Sequence, residues 1–239
     1  MYSQLIINGK PFRLRRTYKV VGALMDTHQH SLKSKPTLIL GIGPARTGTS
    51  YLFSLFLNDN FNVTHMKEDM YLYNNSVINI YEYKKCFRTT DKNIYVDVNP
   101  RYSFMPNLDE VIAQLNYHFD VRLICTVRDP VNSVISGIEA AGMSYGIYQE
   151  HYDFKFLIER MKHHPLYVKF LEHHDFESLS KFVGADVETH TRVVNVNQRV
   201  SNVKCTESIE TIRKKMNKQY EYFFRKNGEV FIKTIWEHA

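Results

Sequence analysis

The sequence predicts an α/β protein, a parallel sheet flanked by helices and preceded by a short β-hairpin. Three observations carry the prediction. Short apolar runs alternate with helical patterns from Thr37 onward, as strands and crossover helices do around a parallel sheet. One run passes through a glycine-bearing loop straight into a helix. The 239 residues, 44% of them hydrophobic, suffice for one sizeable core. A single domain over 1–239 is therefore expected, with 1–35 as hairpin and linker and 37–239 as the α/β core.

The elements follow in order. Leu5-Ile6-Ile7 and Lys10–Leu14 flank Asn8-Gly9, a favoured two-residue type I′ turn, so the chain opens as a hairpin. A polar linker runs from His28 to Lys35. Five apolar runs read as buried strands: Leu38–Ile42, Phe61–Thr64, Ile94–Val98, Val121–Val127 and Leu166–Leu171. Helical patterns lie between them at Thr49–Leu57, Leu108–Tyr117, Pro130–Ala140 and Ile147–Lys162. Ile209, Ile212, Met216, Tyr220 and Phe223 recur at helical spacing opposite Arg213, Lys214 and Lys218, an amphipathic helix that Gly228 would end.

Composition narrows the functional classes. The net charge of +6 suits an anionic ligand, but the basic residues are dispersed, with no run longer than Arg213-Lys214-Lys215. A nucleic-acid partner is not expected. Neither is a membrane partner, because no stretch approaches the length of a span. Cys86, Cys125 and Cys205 are too scattered for a disulfide framework or a zinc site. The N-terminus lacks an apolar signal core, so Asn62-Val63-Thr64 and Asn74-Asn75-Ser76 read as chance sequons and a cytoplasmic setting follows. No metal is expected: His163-His164 and His173-His174 are adjacent pairs whose side chains point to different faces. The sequence carries no signal for oligomeric state.

The strongest local signal is Leu38–Leu52, a strand, a loop bearing Gly43 and Gly48, and a helix beginning at Thr49. Such a loop aims consecutive backbone N–H groups at an anion. The two glycines have the spacing of a nucleotide-binding phosphate loop, but Thr49 stands where that loop has its lysine. A triphosphate is therefore poorly served, and Arg46 supplies the positive charge instead. The second signal is Val121–Ser136. Asp129 is a good N-cap and Pro130 a good first helical residue, which leaves Arg128 at a strand's carboxyl end. Ser133 and Ser136 lie three apart on the following helix. Ligands of open α/β sheets bind beyond the carboxyl ends of the strands, so two anion sites there call for a ligand with phosphates at two separated points.

These two segments resemble the family of sulfotransferases that use 3′-phosphoadenosine 5′-phosphosulfate (PAPS). Gly43–Leu52, Ser50 included, resembles the family's 5′-phosphosulfate loop. Arg128-Asp129-Pro130 through Ser136 resembles its 3′-phosphate motif. The resemblance implies that Arg46, Thr47, Gly48 and Thr49 serve the 5′ end of PAPS and that Arg128 and Ser136 hold its 3′-phosphate. The product would be 3′-phosphoadenosine 5′-phosphate (PAP). Within the family the pattern is closest to the heparan-type carbohydrate branch. Lys67-Glu68-Asp69 resembles that branch's Lys-Glu segment, in which the glutamate is the base, and Leu179–Gly184 resembles a later helix end. Alignment back from the C-terminal helix sets Arg199 near a basic loop that closes over the nucleotide. Where the branch has a lysine before a Ser/Thr-Pro pair, this chain has Val98-Asn99-Pro100.

Sulfuryl transfer needs an in-line attack, a base for the acceptor's proton and positive charge where oxygens gain charge. Lys67 and Glu68 follow the second strand, so they too lie at a carboxyl strand end. Glu68 is the preferred base, with His65 as its rival; Lys67 and Arg46 would stabilise the group in transit. The acceptor expected is a carbohydrate or small-molecule hydroxyl. Asp97 keeps an alternative open, because it imitates the acidic strand end that holds magnesium in nucleotide-dependent kinases. A non-enzymatic module that binds sulfated glycans or other anions is the third reading.

Overall fold

A computed structural model describes residues 5–7, 10–12, 34–89, 91–141, 154–171, 175–187 and 208–215. The chain divides into two compact units, Met1–Ser34 and Lys35–Ala239. In the first, β1 (Leu5–Ile7) and β2 (Lys10–Phe12) pair antiparallel with Ile7 opposite Lys10. That register leaves two residues for the turn, as Asn8-Gly9 favours, although both lie outside the described residues.

The second unit runs β3 (Thr37–Ile42), α1 (Thr49–Leu55), β4 (Asn62–Val63), α2 (Tyr71–Asn74), α3 (Ile80–Lys84) and β5 (Ile94–Val98). A one-turn 3₁₀ helix (Pro100–Phe104), α4 (Leu108–Leu115), β6 (Asp120–Val127) and α5 (Pro130–Ala141) come next. The described part closes with α6 (Phe154–Met161), β7 (Leu166–Phe170), α7 (Phe176–Val183) and α8 (Ile209–Lys215). All five expected core strands form. They make one parallel sheet in the order β4-β5-β3-β6-β7, with Leu40 opposite Asp97 on one side and Leu123 on the other.

The strands read as predominantly apolar runs because both faces of the sheet are covered. Along β3, Leu38, Leu40 and Ile42 turn to one face, where they meet Val111, Ile112 and Leu115 of α4, Val131 and Val134 of α5, and Leu157 and Met161 of α6. Ile39 turns to the other, against Leu52, Phe53 and Phe56 around α1 and Leu179 and Val183 of α7. Each such side chain contributes roughly 1.5–3 kcal/mol by leaving water.

Boundaries moved for local reasons. The expected helices to Leu57 and Tyr117 stop at Leu55 and Leu115, because their last turns tighten into bonds such as Leu57 N–H to Ser54 and Tyr117 N–H to Gln114. The expected strand Phe61–Thr64 shrinks to two residues: Phe61 packs edge-on against Phe56, and Thr64 turns to bridge Phe87. The expected helix from Ile147 is described only as α6, since residues 147–153 lie outside the described set, as do Met216, Tyr220, Phe223 and Gly228.

The strand order decides where a ligand can sit. The connection after β3 leads away toward β4, and the one after β6 leads the other way, toward β7. β3 and β6 are neighbours, so a crevice opens beyond their carboxyl ends, at the topological switch point. Both segments expected to meet an anion lie there.

Candidate active site

The loop after β3 is shaped by glycine where nothing else fits. Gly43 has φ +131°, and a β-carbon there would fall 2.3 Å from Thr126 Oγ1 and 2.6 Å from the Thr126 carbonyl oxygen. Gly48 has φ +100° and opens α1 without a side-chain cap. Between them, the Thr47 hydroxyl donates to the Pro44 carbonyl at 2.7 Å. Its one hydrogen is then committed, so Thr47 Oγ1 accepts from Thr126 Oγ1 at 2.7 Å, a shorter approach than that of the same Thr126 hydroxyl to the Ile42 carbonyl at 3.3 Å. Thr47 is fully buried and braces the loop against β6. Thr49 is buried too, whereas Ser50 and Gly48 are half-buried and Arg46 is exposed. Both threonines face inward, and the sequence could not show which of them would meet Thr126.

The second segment forms as its caps require. Asp129 Oδ1 accepts from the N–H groups of Val131 at 2.8 Å and Asn132 at 3.1 Å, and Pro130 begins α5. Arg128 follows the last residue of β6 and lies half-buried. Ser133 and Ser136, expected on one helix face, differ in depth: Ser133 is fully buried and Ser136 half-buried.

The two segments meet. Arg46 Nε donates to Ser136 Oγ at 3.2 Å across 90 residues of sequence, and Arg128 Nη1 approaches the Arg46 carbonyl at 3.5 Å. The guanidinium of the loop and the serine of α5 therefore share one surface at the switch point.

Lys67 and Glu68 lie in the turn after β4. The Lys67 ammonium pairs with Glu68 Oε1, and the two side chains are 22% and 40% exposed. Glu68 takes a left-handed backbone, φ +68°, while its N–H donates to the Val98 carbonyl at 3.0 Å, which docks the turn on the end of β5. Asn99, fully buried, adds a second tie through Nδ2 to the Asp69 carbonyl at 2.8 Å. His65 is exposed, and its backbone rather than its ring is engaged: its N–H donates to Cys86 and its carbonyl accepts from Arg88. Arg199 lies outside the described residues.

Asp97 ends inside the protein. It is fully buried, its Oδ2 accepts from Tyr102 at 2.7 Å and Tyr83 at 3.0 Å, and burial lifts its carboxyl to about 7. Ser103, which sequence reasoning missed, accepts the Gly43 N–H at 2.8 Å. The readable signal for this turn was Asn99-Pro100, an N-cap followed by a first-turn proline. His164 packs against Asp109, whose carboxylate also pairs with Arg160. His173 and His174 lie outside the described residues. Among the described residues no group of three or more His, Cys, Asp or Glu side chains is arranged to hold a metal ion, and no helix is long and apolar enough to cross a membrane.

No protein-family model matches the chain, and no curated protein matches it. Solved structures do. A sulfotransferase from Alicyclobacillus acidocaldarius is 14% identical, with a TM-score of 0.55 over 83% of this chain and 97% of that one. The sulfotransferase domain of the Synechococcus PCC 7002 olefin synthase is 13% identical, with a TM-score of 0.42 over 82% of this chain and 98% of that one. A mouse sulfotransferase complexed with PAP is 13% identical, with a TM-score of 0.42 over 99% of this chain and 95% of that one. The first likeness establishes the fold: a five-stranded parallel sheet flanked by helices, as in the Alicyclobacillus protein.

Proposed function

We propose that this chain is a sulfotransferase that moves a sulfuryl group from PAPS to a hydroxyl of a carbohydrate or small molecule. The observation that carries the reading is the meeting of Arg46 with Ser136 beside Arg128, at the switch point of a fold shared with a sulfotransferase. In this reading Arg128 and Ser136 take the 3′-phosphate, and the loop from Gly43 to Ser50 takes the 5′ end. Glu68 accepts the acceptor's proton as its oxygen bonds to sulfur, the bond from sulfur to the 5′-phosphate oxygen breaks, and PAP leaves with the electron pair. Arg46 and Lys67 neutralise the charge that develops. Thr47 serves through its bracing of the loop. The reading places the chain in the cytoplasm; burial pushes the Cys125 thiol up to about 12, which leaves it unreactive.

The kinase reading has less support. Asp97 is sealed from solvent with one oxygen engaged by two tyrosine hydroxyls, and Thr49 stands in the place of the loop lysine. The pure binding module leaves the Lys67–Glu68 pair without a purpose.

Calorimetry with PAP and AMP tests the donor. A charge-assisted contact to phosphate is worth about 1.5–3 kcal/mol, so PAP should bind at least tenfold more tightly than AMP, and Arg128→Ala should erase most of that difference. Equal affinity of the wild type for both nucleotides would defeat the assignment.

A further inference from the structure

The segment from Asp97 to Ser103 touches both halves of the candidate site, yet none of its side chains has a role in the transfer itself. Asp97 closes on Tyr102 and Tyr83 through Oδ2, while its buried Oδ1 has no hydrogen-bond partner among the described residues. A buried carboxyl with one oxygen unsatisfied is costly, and a fold concerned only with stability would do better with an apolar residue there. Tyr102 is itself fully buried, so the bond at its hydroxyl pins the 3₁₀ helix in rotation. Three ties run outward from the pinned turn. Ser103 Oγ accepts the Gly43 N–H at 2.8 Å, at the mouth of the loop. The Asn99 N–H donates to the Gly41 carbonyl at 3.0 Å, on the strand that feeds that loop. Asn99 Nδ2 donates to the Asp69 carbonyl at 2.8 Å, next to Glu68.

We propose that Asp97 is a positioning residue for the reaction, fixing through Tyr102 the turn from which Ser103 sets the donor loop and Asn99 sets the base-bearing turn. The proposal rests on the sulfuryl-transfer reading for what the two halves do, but not for their coupling. One turn holds the donor loop and the base in register with each other. In-line transfer makes such register matter, since a misplacement of about 1 Å can cost on the order of a hundredfold in rate.

The test uses the full chain and two readouts. In the first, PAP affinity is measured for Tyr102→Phe, Ser103→Ala, the double variant and Ser103→Thr. Each single loss of hydroxyl should weaken PAP roughly two- to tenfold. The double variant should be no worse than the poorer single, because both cut the same chain of contacts. Ser103→Thr, which keeps the hydroxyl, should bind like wild type. The second readout needs no ligand: amide hydrogen exchange should quicken together at residues 43–50 and 67–70 in Asp97→Asn, or in Tyr102→Phe should the former fail to fold. Additive losses in the double variant, unchanged or tighter PAP binding in the singles, or exchange that quickens at only one segment or at neither would overturn the proposal. Failure of the wild type to bind PAP would instead defeat the sulfuryl-transfer reading. The exchange result then decides the coupling alone, joint quickening upholding it and any other pattern overturning it.

Discussion

Arg46 and Glu68 share a backbone conformation that side chains avoid, with φ of +72° and +68°. Each costs about 1–2 kcal/mol relative to ordinary backbone, and the fold holds both at the carboxyl edge of one sheet. Strain of this kind persists where the surroundings over-determine it; for Glu68 the surroundings are the bond to Val98 and the Asn99 tie next door. Glu68→Gln keeps the shape and the backbone but cannot take up a proton. Turnover should fall roughly 10²–10⁴-fold while PAP affinity holds, as single-turnover transfer from labelled PAPS and calorimetry would show. His65→Ala should be milder, because the exposed ring is not what the local structure uses. The reverse pattern would move the base to His65. Residue identity pointed to Arg46 and Arg128 as cations and to Ser136 as a hydroxyl expected to meet an anion, and the structure brings the three together. Identity alone could not tell that Thr47 is the one that braces the loop against β6, because Thr47 and Thr49 have the same chemistry and are both buried, and only the contact with Thr126 separates them.

At the scale of elements, the end of β5 carries a titration that the whole unit feels. Asp97 is lifted to about 7 by burial, with Asp69 adding to the lift and the hydroxyls of Tyr102 and Tyr83 opposing it; Cys86 is the remaining ionisable neighbour. An unfolded carboxyl titrates near 3.9, so the native state holds an extra proton between roughly pH 4 and 7. Its contribution to stability is fully present below the unfolded value and is lost as pH rises through 7. Denaturant titrations at pH 5 and pH 8 should show the wild type losing on the order of 2–4 kcal/mol relative to Asp97→Asn, and parallel behaviour of the two proteins would refute it. The same stretch shows what the sequence could carry. β3, β5 and β6 were legible because strands buried on both faces are predominantly apolar, and α5 because Asp129-Pro130 announces it. The short α2 and α3 and the 3₁₀ helix escaped: at four or five residues they have no period to read, and α3 and the 3₁₀ helix are held by the caps Asn79 and Asn99. α7 was visible only at its end, where Gly184 takes the left-handed cap that its place after Val183 suggests.

For the molecule as a whole, the proposed choice of donor rests on the arrangement of charge. Phosphoryl transfer from a triphosphate relies on magnesium held partly by an acidic strand end, and here that residue is closed off beneath two tyrosines. In the proposed reading Arg46 and Lys67 take on the neutralising role that magnesium has in phosphoryl transfer. Transfer from PAPS should therefore continue in excess EDTA, and ATP with magnesium should label no acceptor in the same panel; magnesium-dependent label from ATP, with none from PAPS, would restore the kinase reading. The central place of β3 has a consequence at synthesis. It is the first strand of the sheet to be made, and both its partners, β5 and β6, arrive much later along the chain. Until then Thr37–Ile42 is an apolar segment with two unpaired edges, and non-local parallel pairing is slow to form. A ribosome must translate past Val127 before that strand is flanked on both sides, so the strand that feeds the glycine-bearing loop is the one left longest without its partners.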